Sequence, residues 1–179
     1  MYEARNWQHG VLVAASVASE TTAAATGEVG VVRRDPMAMK PFAGYNFGDY
    51  FAHWLEMGSR LTRAPRIFHV NWFRQDSAGK FLWPGFGENL RVLSWMLERC
   101  AGKAGAKDSP IGLMPRPEDL DLTGLRVDPA VLEELTSVPA PALRREIADI
   151  RAYLQGFAAR TPAAMYAELD ALERRLDGA

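Results

Sequence analysis

The chain has 179 residues, 48% of them hydrophobic, enough to bury the core of one ordinary domain. Its 21 basic and 22 acidic side chains leave a net charge of −1, which gives no electrostatic reason to expect nucleic acid or an acidic membrane as partner. A single cysteine, Cys100, excludes an internal disulfide and points to the cytoplasm, and no apolar run reaches transmembrane length.

In chain order, Gly10 to Val17 and Val29 to Arg33 read as apolar, strand-like runs. The apolar stretch Gly10 to Ala18 is too short, and too closely preceded by Glu3, for a signal-peptide core. Between the two lies Ser19 to Gly30, small, polar and Ala-rich, which local chemistry reads as a solvated loop. Asn46 to about Leu61 reads as a helix, with Phe47, Tyr50, Phe51, Trp54 and Leu55 on one broad core stripe and Gly44-Tyr45-Asn46 as its first turn.

Arg66 to Arg74 is rich in β-formers, Gln75 to Gly79 is a polar turn, and Lys80 to Trp83 resumes an apolar pattern, so the segment reads as a hairpin stopped by Pro84-Gly85. Alternation puts Trp72 and Phe73 on opposite faces, with different jobs. Phe86-Gly87-Glu88-Asn89 then enters a helix to about Cys100, with Leu90, Leu93 and Leu97 at helical spacing and Cys100 as a structural thiol. Ala101 to Pro117 reads as a surface connector. Three short helices complete the chain. Asp128-Pro129 caps and opens the first; Leu143, Ile147, Ile150, Leu154 and Phe157 define the second; Thr161-Pro162 opens a third, with Met165, Leu169, Leu172 and Leu176 on one face. The expected class is mixed α/β: a mixed sheet with a hairpin, packed helices and a C-terminal group of short helices, in one domain spanning 1–179.

The densest chemical signal is Asn71 to Asn89, where Trp72, Phe73, Phe81, Trp83 and Phe86 surround tight polar turns. Rings beside flexible backbone suit a flat ligand, each stack contributing about 1–3 kcal/mol, while an Asn amide can read a polar purine edge. The same rings could equally form a minicore beneath the hairpin. No GxxxxGK[ST] phosphate loop occurs, because Gly79-Lys80 is followed by Phe81 and Gly102-Lys103 by Ala104. His9, His53 and His69 are scattered without partners at metal-ligand spacing, so no metal site is assigned.

HVNWFRQDSAGKFLWPGFGEN (His69 to Asn89) resembles the guanine-binding segment of GTP-dependent phosphoenolpyruvate carboxykinase. The resemblance extends through WQHGVLVA (Trp7 to Ala14), SETTAAATGEVG (Ser19 to Gly30), DPMAMKPFAGYNFGDYFAHWL (Asp35 to Leu55) and SPIGLMP (Ser109 to Pro115). It implies the C-terminal part of that fold, with a guanine-binding segment over 69–89, a lid over 19–30 and C-terminal helices over 128–177. Carried over by position, Phe73 and Phe86 sandwich the base, Phe81 walls its edge, Trp72 supports the pocket and Asn89 hydrogen-bonds the base, with Phe86, Gly87, Glu88 and Asn89 as the core of the site. Ser19, Glu20, Thr21, Thr22, Ala23, Ala24 and Ala25 belong to the lid, whose closure keeps water from the enolate left when oxaloacetate loses CO₂.

The resemblance further implies GTP/GDP and oxaloacetate/phosphoenolpyruvate as ligands, and Mn²⁺, with Mg²⁺ accompanying the nucleotide. The family's metal ligands, phosphate loop and carboxylate-gripping arginines lie upstream of the matched region. The sequence is therefore expected to be the C-terminal portion of a longer enzyme, supplying guanine binding and the lid without turnover alone, with a missing N-terminal part as its partner. The alternative is a non-catalytic purine-nucleotide-binding module, or a decayed fragment whose rings only pack.

Overall fold

A computed structural model describes residues 1–20 and 31–178. The chain forms two compact units, each made from separate stretches of sequence: Met1–Arg5 with Arg66–Pro139, and Asn6–Pro65 with Ala140–Gly178.

The first unit is organised around a four-stranded sheet of very short strands: β1 (Tyr2–Glu3), β4 (Phe68–His69), β5 (Lys107–Ser109) and β6 (Gly112–Met114), in the order β4-β1-β6-β5. In register, Tyr2 pairs with His69, Glu3 with both Phe68 and Leu113, and Lys107 with Met114. Every pairing among the described residues is antiparallel, so the mixed strand directions expected from sequence are replaced by a simpler sheet within the expected α/β class. The segment read as a connector, Ala101 to Pro117, holds the β5–β6 hairpin. Its turn closes on Gly112 at φ 136°, where a Cβ would stand 2.5 Å from the Glu3 carbonyl oxygen.

The expected long hairpin over 66–83 is also redistributed. Phe68–His69 pairs with β1, and the following hairpin shrinks to a single Gln75–Phe81 bridge. Helix α3 (Asn89–Cys100) buries Val92 and Trp95, with Phe68 meeting the Trp95 ring edge-on at 5.9 Å, while Leu90, Leu93 and Leu97 face outward. Cys100 ends that helix exposed, not packed as a structural thiol. Helix α4 (Pro129–Leu135) starts as expected, Asp128 accepting from the Ala130 N–H at 2.9 Å.

Buried charge ties the unit together. Glu3, almost fully buried, accepts from Arg66 at 3.0 Å and from Arg99 at 2.8 Å, linking the inner strand β1 to the end of α3 and to the approach of β4.

The second unit is mainly helical. The run read as a strand, Gly10 to Val17, lies mostly in helix α1 (Trp7–Ala15), because Asn6 caps it by accepting from the His9 N–H at 2.8 Å and His9, Gly10, Val11, Leu12 and Ala15 are buried. Strands β2 (Ala18–Glu20) and β3 (Val32–Arg34) form an antiparallel pair. Helix α2 (Phe47–Arg60) begins where expected, Asn46 accepting from the Gly48 N–H at 2.7 Å. Helices α5 (Ala140–Gln155) and α6 (Ala163–Asp177) pack on each other, and α1 packs against both α2 and α6.

The core of this unit is the expected apolar stripes brought face to face: Phe51 with Leu154, Met165, Leu169, Leu172 and Leu176. Phe157 receives the edges of Phe51 at 5.5 Å and Tyr153 at 5.0 Å, pairs that each contribute about 0.5–1.5 kcal/mol beyond the area they bury. No helix among the described residues is long and apolar enough to cross a membrane.

Candidate functional site

The aromatic segment lies within the first unit, and its turns are fixed by short polar side chains. Asn71 accepts from the Phe73 N–H at 2.9 Å, setting the backbone of that residue. Asp76 accepts from the Ala78 N–H at 2.8 Å and the Lys80 N–H at 2.9 Å, while Leu82 donates to the Arg74 carbonyl at 2.9 Å. The resulting tight hairpin brings Phe81 against Phe73, with ring centroids 6.1 Å apart and planes at 62°.

Gly85 then turns the chain at φ 96°, a backbone open to glycine and strained for other residues. A 3-10 turn over Phe86–Glu88 follows, leading directly into α3. Phe86 projects from this turn at 97% exposure, with no ring partner among the described residues; Phe73 is 73% exposed and Phe81 52%. Three outward phenyl rings in one short segment are costly in water, since burying each could gain roughly 1.5–3 kcal/mol. Phe73 and Phe81 are thus in ring contact, whereas Phe86 makes no ring contact with either among the described residues.

Trp72 takes a different role from Phe73, as alternation suggested. It is half-buried and lines a small apolar cavity of about 50 Å³ with Val70, Trp83, Val92, Leu120 and Leu132.

Asn89, Glu88 and Gly87 are positioned by the helix start. Trp83, only 7% exposed, donates its indole N–H to Asn89 Oδ1 at 3.0 Å. Glu88 is engaged by Arg91 at 2.5 Å, and the same guanidinium donates to the carbonyls of Asp121 at 2.6 Å and Thr123 at 2.9 Å. Gly87 is exposed, and a Cβ there would meet nothing within 4 Å. Sequence reasoning missed the roles of Asn71, Asp76, Trp83 and Arg91. Only Glu88–Arg91 left a readable signal, an opposite-charge pair three residues apart at a helix start.

The second expected element, the lid, begins on β2 and returns on β3, both in the second unit. Ser19 donates to Asp35 at 3.1 Å, and Arg34 donates to the Ser16 carbonyl at 2.6 Å, to Glu146 at 2.8 Å and to Asp149. Ser19 and Glu20 thus sit on an anchored strand pair; Thr21, Thr22, Ala23, Ala24 and Ala25 lie outside the described residues.

Among the described residues, no group of three or more His, Cys, Asp or Glu gathers to hold a metal ion. His69 stacks on Tyr2 at 5.2 Å and His53 meets Trp54 at 5.8 Å. The donor set does not fit Mn²⁺, and no chemical step through a metal is derived from these residues.

Comparison with known proteins places this geometry. Residues 1–175 match the family described as phosphoenolpyruvate carboxykinase C-terminal P-loop domain. The chain is 52% identical over its whole length to "Phosphoenolpyruvate carboxykinase [GTP]" of Neocallimastix frontalis, covering 30% of that protein. It is 49% identical over 97% of its length to the protein of the same name from Paenarthrobacter aurescens (strain TC1), covering 29% of it. It is also 51% identical over 98% of its length to "Phosphoenolpyruvate carboxykinase [GTP], mitochondrial" of Homo sapiens, covering 28% of it. The chain thus spans less than a third of the length of these relatives. With the match running through both units and through the aromatic segment, the chain belongs to the phosphoenolpyruvate carboxykinase C-terminal P-loop domain family.

Proposed function

We propose that this chain supplies the guanine-binding segment and the lid of a GTP-dependent phosphoenolpyruvate carboxykinase, which converts oxaloacetate and GTP to phosphoenolpyruvate, GDP and CO₂. The observation that carries the reading is the exposure of Phe73, Phe81 and Phe86 beside Asn89, in a segment of a chain about half identical to proteins named for that nucleotide. Phe73 and Phe86 hold the two faces of the base, Phe81 walls its edge, Trp72 supports the pocket, and Asn89 bonds the polar edge, with Gly87 and Glu88 shaping the approach. The mostly small side chains from Ser19 through Ala25, Glu20 apart, suit a lid that folds shut at low cost and keeps protons from the enolate. The compartment proposed is the cytoplasm, where Cys100 stays reduced.

Alone, the chain binds nucleotide without turning over substrate, because the phosphate loop is missing from its sequence and no metal-ligand cluster occurs among its described residues. Calorimetric titration is the test: GDP should bind measurably and ADP more weakly, and Phe86→Ala should lose roughly 1–3 kcal/mol of GDP affinity. Equal affinity for GDP and ADP, or an unchanged Phe86→Ala dissociation constant, defeats the guanine site. Phosphoenolpyruvate formation by the isolated chain from oxaloacetate and GTP would instead overturn the claim that it lacks turnover.

A further inference from the structure

The hydrogen bond from Trp83 to Asn89 fixes more than a helix start. An indole N–H only donates, so the amide atom that meets it must be the oxygen, and the 3.0 Å contact settles the Asn89 amide orientation that otherwise depends on choice. Trp83 is 7% exposed, which leaves its N–H little access to water in place of Asn89. Among the described residues, the Asn89 amino group has no acceptor of its own and lies at the opposite corner of the amide.

Resting on the guanine-site reading above, we propose that Trp83 is a positioning residue that sets base selectivity by holding the Asn89 oxygen toward its own indole, so that the corner free for a ligand carries the Nδ2H₂ donor. That arrangement accepts a 6-oxo purine and rejects a 6-amino one. To accept an adenine amino group at the corner that now carries Nδ2, the Asn89 amide would have to turn over, placing its NH₂ against the indole N–H. Two donors would then face each other, one of them buried and unpaired. Discrimination resides in the Trp83–Asn89 bond, whereas the phenyl rings stack on either base alike.

The test titrates the full 179-residue chain with GDP, ADP, inosine diphosphate and 2-aminopurine riboside diphosphate. The wild type should bind inosine diphosphate, which keeps the 6-oxo group, close to GDP, and bind the 2-aminopurine nucleotide, which lacks it, roughly tenfold more weakly. In Trp83→Phe the amide can turn freely, so ADP affinity should rise and the GDP to ADP preference fall roughly tenfold, with GDP itself changing by about twofold. A purely structural role for Trp83 would weaken all four nucleotides together.

An unchanged GDP to ADP preference in folded Trp83→Phe overturns the proposal. Should that variant not fold, the wild-type series decides, and equal binding of the inosine and 2-aminopurine nucleotides overturns it. A wild type that binds GDP through Phe86 but ignores the 6-position sinks this inference alone. A wild type that binds no guanine nucleotide sinks the site reading with it.

Discussion

Asp119 shows how one side chain can be held by a single neighbour. It accepts from Arg116 three times, from the backbone N–H at 2.9 Å and from the guanidinium at 3.0 Å to each oxygen. The Arg116 side-chain hydrogen bonds hold its carboxyl below the usual carboxylate range, against the opposing pull of desolvation. Lowering the native value means that the ionised form stabilises the fold fully above the unfolded carboxylate pKa, and that this contribution disappears as pH falls through the native value. The difference in melting temperature between wild type and Asp119→Asn should therefore stay constant from about pH 7 to about pH 5 and shrink below about pH 4. A gap independent of pH would show that the charge is not what holds this turn. Phe86 is the opposite kind of residue: so exposed that its Ala substitution should leave stability within about 0.5 kcal/mol of wild type while nucleotide affinity falls.

Helix α3 separates two kinds of apolar residue on one element. Trp95 is buried against Phe68 and donates its indole N–H to the Gly105 carbonyl at 3.2 Å, so Trp95→Ala should destabilise by about 3–5 kcal/mol in chemical denaturation. Leu97 is exposed, and Leu97→Gln should change stability by less than about 0.5 kcal/mol. A large loss at Leu97 would mean that its face is covered in solution. Helical spacing alone could not make this distinction, because Leu90, Leu93 and Leu97 mark the helix as clearly as a core stripe would. Helices α2, α5 and α6 were legible from period, cap and Pro, since their stripes do face the core. Helix α1 was not: its β-branched run resembles a strand, and the deciding contacts are the Asn6 cap and the neighbouring helices. Strands of two or three residues were equally hidden, as pairing over so few positions leaves no alternation to read. In the candidate site the rings and Asn89 could be picked out, whereas the bonds from Trp83 and Arg91 depend on where side chains meet after folding.

At the scale of the whole molecule, the buried carboxylate of Glu3 joins residues far apart in sequence, reaching Arg66 and Arg99 from an inner strand of the four-stranded sheet. Removing its charge leaves the half-buried Arg99 and the exposed Arg66 facing a neutral amide, and Glu3→Gln should cost about 1–3 kcal/mol. Loss of the β1–α3 connection should also weaken nucleotide binding, since Asn89 begins that helix; a variant as stable as wild type would show that the ion pairs are dispensable. The polypeptide passes from one unit to the other after Arg5, after Pro65 and after Pro139. No single uninterrupted stretch of coding sequence therefore carries either unit intact. A clone covering 66–139 would omit β1, one of the two inner strands of its own sheet, and dissecting this protein into independent halves would require splicing or circular permutation in place of simple truncation.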